Sequence, residues 1–352
     1  MPPRPEPPVL QVRDLTKHYQ PRAGFGFGGS RAVIRAVDGV SFDLHRGETL
    51  GLVGESGCGK STVARTILRL DEPTSGEVLF RGRNVFTMDA AELKALRRKV
   101  QVVFQDPYAA LNPRLSVEAI VAEPWTIHSD VVPKAERPER VRELLASVGL
   151  RREHAERYPH QFSGGQLQRI GIARAMALDP EVLVCDEPVS ALDLSVQAQV
   201  INLLEDIQAR TGIAYLFIAH DLSVVRHISD RVAVMYLGRM AELGTRDEVF
   251  RAPAHPYTAA LLSAEPVVRV DAERRPRIPL RGEIPSPANP PSGCRFRTRC
   301  WKAQAICAAE TPALAPQPPG NARLAACHFP EVVPCRSPQP SPTPTSASPM
   351  SA

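Results

Sequence analysis

The sequence predicts an α/β protein with a parallel sheet and helices on its faces, and three observations carry that prediction. Short apolar runs, TLGLVG, VQVVFQ, EVLVCDE, AYLFIAH and VAVMYLG, have the length and composition of buried strands. They alternate with helix-period segments such as STVARTILRL and LSVQAQVINLLEDIQAR, as expected when each strand leads into a crossover helix. Between the first run and the first helix lies GESGCGKST, a glycine-rich loop of the kind that holds a phosphate at a helix N-terminus.

Taken in order, the chain divides at its prolines. Residues 1–8 are proline-rich, carry no periodicity and are expected to be disordered. A packed α/β domain is expected over 9–262, interrupted early by the insertion PRAGFGFGGSRAVIR. AAELKALRRKV and KAERPERVRELLASVGL have helical periodicity, and the charge-rich stretch from Asp106 predicts a helical subdomain over about 106–175. A proline-rich extension follows over 263–335, with IPSPANPP inside it, and RSPQPSPTPTSASPMSA at 336–352 reads as a disordered tail. No internal repeat is visible.

Composition sets the limits. Of 352 residues 43% are apolar, enough for a large core, and the net charge of +5 permits an anionic ligand or membrane surface without requiring either. No apolar run approaches the roughly 18–20 residues of a spanning helix. The N-terminus lacks the charged-then-apolar layout of a signal peptide. A cytosolic location is therefore expected, with any membrane role exercised through partners.

The loop Gly54, Glu55, Ser56, Gly57, Cys58, Gly59, Lys60, Ser61, Thr62 matches the phosphate-loop pattern in the strand–loop–helix context that pattern needs. Its glycines let backbone N–H groups turn towards the phosphates, Lys60 adds a point charge, and the Ser61 hydroxyl can ligate Mg²⁺. Cys58 reads as a small filler whose backbone does the binding. In EVLVCDEP an apolar strand delivers Asp186 to its carboxyl end, where it can hold Mg²⁺ through water. Glu187, one residue on, is placed to act as general base towards an attacking water. His220 ends another apolar strand, FIAHDLS, and is expected beside the same sheet edge, in contact with a γ-phosphate.

Four further cysteines stand apart. Cys294, Cys300, Cys307 and Cys327 follow C-x5-C-x6-C-x19-C, which is neither the paired knuckle of structural zinc sites nor the tight ferredoxin run. Spacing leaves open a four-thiolate metal site, with zinc slightly ahead, or unliganded thiols; a cytosolic location counts against disulfides. Cys335 lies outside this spacing and Cys185 is strand filler.

FSGGQLQRIGIARAM (Phe162 to Met176) narrows the class, because it resembles the signature sequence of ATP-binding cassette (ABC) ATPases. The resemblance implies a RecA-like phosphate-loop core of ABC type, with an inserted helical subdomain, an antiparallel β subdomain and a small cysteine-rich C-terminal extension. It also implies a head-to-tail dimer, in which Ser163, Gly164, Gly165 and Gln166 close over nucleotide held by the partner's phosphate loop. Gln105 in VVFQDP resembles the glutamine that approaches Mg²⁺ and water, SALD (Ser190 to Asp193) the loop that communicates across the dimer, and His220 the switch histidine. Tyr19 sits where the family stacks an aromatic on adenine, with Phe25 and Phe27 as competitors.

HPYTAALLSAEP and IPSPANPPSGCRFRTRC look more specifically like the ATP-binding subunits of oligopeptide and dipeptide importers, in particular their second ATPase. That resemblance runs from about Val9 to Cys327. It implies ATP hydrolysis coupled to peptide translocation, with ATP and Mg²⁺ as ligand and cofactor. Implied partners are a related ATPase subunit, two membrane permeases and, indirectly, an extracytoplasmic peptide-binding protein. The implied location is the cytoplasmic face of the plasma membrane. A groove around Gln105 to Pro113 is expected to receive a short permease helix. The resemblance also makes a 4Fe–4S cluster the expected occupant of the four cysteines, ahead of zinc. Rival readings are a soluble ABC ATPase of DNA repair or translation, and an importer ATPase for another solute such as nickel. The net charge of +5 without a basic stripe speaks against nucleic acid as a partner.

Overall fold

The computed structural model describes residues 7–20, 33–264, 277–317 and 323–331. The Phe25 and Phe27 alternatives, Cys335, residues 1–6 and the tail at 336–352 lie outside the described residues.

In chain order, β1 (Leu10–Tyr19) and β2 (Ile34–Leu44) precede β3 (Thr49–Val53), α1 (Lys60–Ile67), β4 (Ser75–Phe80), β5 (Arg83–Asn84), α2 (Ala90–Lys99) and β6 (Val100–Val103). Next come the helices α3 (Pro107–Ala110), α4 (Val117–Ala122), α5 (Pro124–Ile127), α6 (Arg137–Ser147) and α7 (Gly164–Met176). Strands return with β7 (Val182–Asp186), α8 (Leu194–Thr211), β8 (Ala214–Ile218), α9 (Leu222–Ile228), β9 (Arg231–Tyr236) and β10 (Arg239–Thr245). Finally come α10 (Arg246–Arg251), α11 (Pro256–Ala264), α12 (Ala305–Ala309), β11 (Ala315–Pro316) and β12 (Leu324–Ala325).

The five apolar runs are β3, β6, β7, β8 and β9, and they form the parallel part of an eight-stranded sheet ordered β11-β12-β10-β9-β3-β8-β7-β6. Each is apolar at nearly every position because both faces are covered, and successive side chains alternate between two cores. On β8, Ala214, Leu216 and Ile218 join the core shared with β1, β2 and α1, whereas Tyr215 and Phe217 join the core shared with α7 and α8. A separate antiparallel sheet, β2-β1-β4-β5, covers the first of these faces.

The insert between β6 and β7 holds α3 to α7. Its apolar residues Val117, Ile120, Trp125, Leu145 and Leu167 continue the core shared with α7 and α8, and the Trp125 indole N–H donates to the Ala177 carbonyl at 2.8 Å. Beyond Ala264 the chain returns to the sheet rather than leaving it. β12 pairs antiparallel with β10 and β11 with β12, so residues of the extension form the sheet's outer edge. The expected boundary at 262 falls inside α11. Among the described residues no helix is long and apolar enough to cross a membrane.

Candidate functional site

The loop from Gly54 to Thr62 leaves β3 and enters α1, and its glycines are sterically required. A Cβ at Gly54 would sit 2.3 Å from the Met235 carbonyl oxygen, and one at Gly59 would sit 2.1 Å from that of Ala36. Gly57 has nothing within 4 Å, but its φ of +76° would strain any other residue. Lys60, almost fully buried, donates to the Gly54 carbonyl at 2.8 Å and to that of Glu55 at 3.3 Å. α1 has neither a side-chain N-cap nor an acidic residue in its first turn. Its first N–H groups are thus left for an anion. Cys58 is buried; its carbonyl accepts from Gly238 N–H at 2.8 Å, and burial raises its thiol pKa.

The carboxylates converge on this loop. Ser61 Oγ donates to Asp186 Oδ1 at 3.1 Å, joining the start of α1 to the end of β7. Burial raises the Asp186 carboxyl above the usual range, and neighbouring Glu187 adds to the rise, against the lowering effects of Ser61 and Lys60. Glu187 has a φ of +49°, uncommon for a residue with a side chain. The backbone is held there by Glu187 N–H donating to the Ile218 carbonyl at 2.9 Å and by Ser190 Oγ donating to the Glu187 carbonyl at 3.0 Å. The Glu187 carboxylate accepts from Gln105 Nε2 at 3.0 Å and lies 3.2 Å from His220 Nδ1. Three strand ends, of β6, β7 and β8, thus bring Gln105, Glu187 and His220 together. This cluster can hold and orient a water opposite a phosphate seated on the loop.

Tyr19, at the end of β1, donates its hydroxyl to Asp71 Oδ2 at 2.9 Å, and Asp71 also pairs with Arg65 of α1 at 2.9 Å. The Lys17 ammonium lies 4.9 Å from the centre of the Tyr19 ring. The tyrosine therefore stands beside the helix that follows the phosphate loop.

Ser163, Gly164, Gly165 and Gln166 open α7, and Ser163 N–H donates to Gln166 Oε1 at 3.1 Å. Gly165 meets α8: a Cβ there would lie 2.2 Å from Val196 Cγ1. Among the described residues no hydrogen bond or ion pair joins this motif to the phosphate loop, so the structure does not bring the two together within one chain.

A groove of about 590 Å³ runs between the core sheet and the helical insert, lined by Lys94, Val102, Glu123, Arg174 and Leu178, with exposed Phe104 and Ile127 at its rim. It lies beside the stretch Gln105 to Pro113 expected to form it, and none of those residues lines it. Within that stretch Asp106 caps α3 by accepting from Tyr108 and Ala109 N–H.

The four cysteines line one small cavity together with His255, Phe296 and Lys302. All are free thiols; burial raises the pKa of Cys294 and Cys300 and pushes that of Cys327 up to about 11. The expectation of a metal here gains no support: among the described residues no group of three or more His, Cys, Asp or Glu side chains could hold a metal ion.

What sequence reasoning missed is how this segment touches the loop. Arg299 forks onto the Glu55 carboxylate at 2.7 and 3.0 Å, and Tyr257 Oη accepts from Glu55 N–H at 2.9 Å. A basic residue just before Cys300 was the available signal, but its partner lies 244 positions away.

Comparison with known proteins agrees with this architecture. Residues 37–190 match the ABC transporter family, and residues 241–307 match the oligopeptide/dipeptide transporter C-terminal region. The chain is 54% identical over 323 residues to the oligopeptide transport ATP-binding protein AppF of Bacillus subtilis, covering 91% of this chain and 97% of that one. It is 52% identical over 307 residues to the dipeptide transport ATP-binding protein DppF of Escherichia coli, covering 87% and 91%. Among solved structures, the ATP-binding cassette MJ0796, described as a dimer in a post-hydrolysis state bound to ADP and Pi, superposes with a TM-score of 0.59 at 30% identity, covering 67% of this chain and 98% of that one.

Proposed function

The chain belongs to the ABC transporter family, among the ATP-binding subunits of oligopeptide and dipeptide transporters, and from that premise we propose how its residues work. It is an ATPase whose hydrolysis of ATP powers peptide import. The phosphate loop, Lys60 and the N-terminus of α1 hold the nucleotide phosphates, while Tyr19 stacks on the base. Ser61, Asp186 and Gln105 hold Mg²⁺, which when bound neutralises charge on the β- and γ-phosphates. Glu187 takes a proton from the attacking water, and His220 and Lys60 stabilise charge on the transferring phosphoryl group.

The observation that carries this reading is the placement of the Glu187 carboxylate between Gln105 and His220, one residue from the Ser61–Asp186 contact. Glu187→Gln should keep ATP binding and lower turnover by roughly 10²–10⁴-fold. Turnover equal to wild type would remove Glu187 as the base.

The glycine-rich start of α7, where Ser163 is exposed, closes over nucleotide bound by a second cassette, so the working unit is a head-to-tail dimer. That second cassette is a related ATPase, and the pair sits on two permeases at the cytoplasmic face of the membrane, fed by an extracytoplasmic peptide-binding protein. The groove rimmed by Phe104 and Ile127 receives a permease helix, a role its two exposed apolar side chains suit. A 4Fe–4S cluster on Cys294, Cys300, Cys307 and Cys327 would take the one cavity these four thiols line. Iron and zinc assay after anaerobic purification decides it.

A further inference from the structure

The cysteine-bearing turn does more than line a cavity. Within CRFRTRC, three side chains run into three different parts of the cassette. Phe296 is buried against Tyr236, Tyr257 and His255, with ring centres 5.3, 5.4 and 5.7 Å away. Arg295 pairs with Asp38 of β2 and donates to the Leu237 carbonyl. Arg299 reaches Glu55, the second residue of the phosphate loop, with both terminal nitrogens.

The contact at Glu55 is built rather than incidental. The Arg299 side chain is 7% exposed and that of Glu55 20%, and the guanidinium also lies 5.9 Å from the Tyr236 ring centre. A two-pronged guanidinium–carboxylate pair fixes direction as well as distance. Tyr257, from the other side, takes the backbone N–H of the same residue. Glu55 in turn shapes the loop: its carbonyl accepts from Cys58 N–H at 3.2 Å and from the Lys60 ammonium at 3.3 Å. Side chain, N–H and carbonyl of one residue are thus all engaged, two of them by residues of the C-terminal region.

We propose that Arg299 and Tyr257 are positioning residues for ATP binding, acting through Glu55 to hold the phosphate loop in its nucleotide-binding shape. This rests on the reading of the loop as the ATP site. A loop fixed in advance spares the nucleotide the cost of ordering it, so the C-terminal region acts on affinity for ATP. Neither residue touches the phosphates, so the chemical step is left to the residues at the strand ends.

The test uses the full chain, with KM for Mg–ATP, kcat and thermal midpoint measured for Arg299→Gln, Arg299→Lys, Tyr257→Phe, Glu55→Gln and the double variant Glu55→Gln with Arg299→Gln. Arg299→Gln should raise KM roughly three- to tenfold with kcat within about twofold of wild type. Arg299→Lys, which keeps the charge but loses the fork, should fall between. Tyr257→Phe, which keeps the buried ring, should raise KM in the same direction. In the Glu55→Gln background, Arg299→Gln should add no further rise. Unchanged KM in Arg299→Gln, or additive effects in the double variant, overturns the proposal. A lowered thermal midpoint and lower kcat at constant KM also overturns it, since that is the mark of a merely structural pair. A wild-type protein that binds no Mg–ATP overturns the ATP-site reading itself, which the wild-type measurement separates from failure of the brace alone.

Discussion

Two additions to the parallel sheet, the helical insert and the C-terminal extension, are held by different physics. The insert is apolar inside: Val117, Ile120, Val121, Trp125, Leu145 and Leu167 are each at most 1% exposed. Among the described residues of the extension, the buried apolar side chains are Phe296, Cys307 and Ala325, and beside them lie buried Arg295, Gln317 and Arg323. Burial of apolar surface is non-directional, so the insert is held by the area and fit of its packing. Charged pairs and a single aromatic plug are directional, so the extension is fixed at chosen points, and two of those points are Asp38 of the antiparallel sheet and Glu55 of the phosphate loop. The difference separates a part held by packed apolar area from a part pinned at named contacts.

Changes that strike each attachment sharpen that contrast. The largest effect belongs to the insert. Trp125→Ala removes its fully buried centre and leaves the Ala177 carbonyl without its donor, so urea titration should show a loss of about 3–5 kcal/mol. A loss below about 1 kcal/mol would mean that the insert is not held by its core.

The extension should instead respond to acid. His255, at the foot of α11, is buried among Phe296 and the cysteine cavity, and burial pushes its pKa down to about 4. Its Nδ1 accepts from Tyr257 N–H at 3.0 Å, and its own backbone N–H donates to the buried Glu242 carboxylate at 2.9 Å. In the unfolded chain the ring titrates near pH 6.5, so below that pH the unfolded state gains a proton that the folded state refuses. His255 therefore costs nothing above pH 6.5, destabilises progressively from pH 6.5 to about 4, and levels off below, for a total on the order of 3 kcal/mol. Urea midpoints measured from pH 7 to 4.5 should fall along this curve, and His255→Asn should flatten it. An equal slope in the variant would assign the acid sensitivity elsewhere.

Much of the core was legible in advance because its signals are local. The strands β3, β6, β7, β8 and β9 coincide with apolar runs, and the steric needs of Gly54 and Gly59 are what the phosphate-loop pattern encodes. The meeting of Glu187 and His220 followed from placing each at the carboxyl end of a strand in one sheet, whereas Gln105 was expected there through the family resemblance. The extension was not legible in the same way. Its cysteines drew attention through spacing, whereas the residues that bind it to the cassette, Arg295, Phe296 and Arg299, are unremarkable in type and find partners about 60 to 260 positions away. A single sequence carries periodicity and local pattern; it does not carry which distant carboxylate a given arginine will meet.

The pairing of β12 with β10 has a consequence in time. On the ribosome β10 emerges about eighty residues before β12, which at roughly 5–20 residues per second is an interval of about 4–16 s. During that interval one row of N–H and C=O groups on the edge of the central sheet has no partner from its own chain. Such an edge is a template for any other strand nearby. A segment synthesised well after β10 is therefore the one that covers this edge of the sheet.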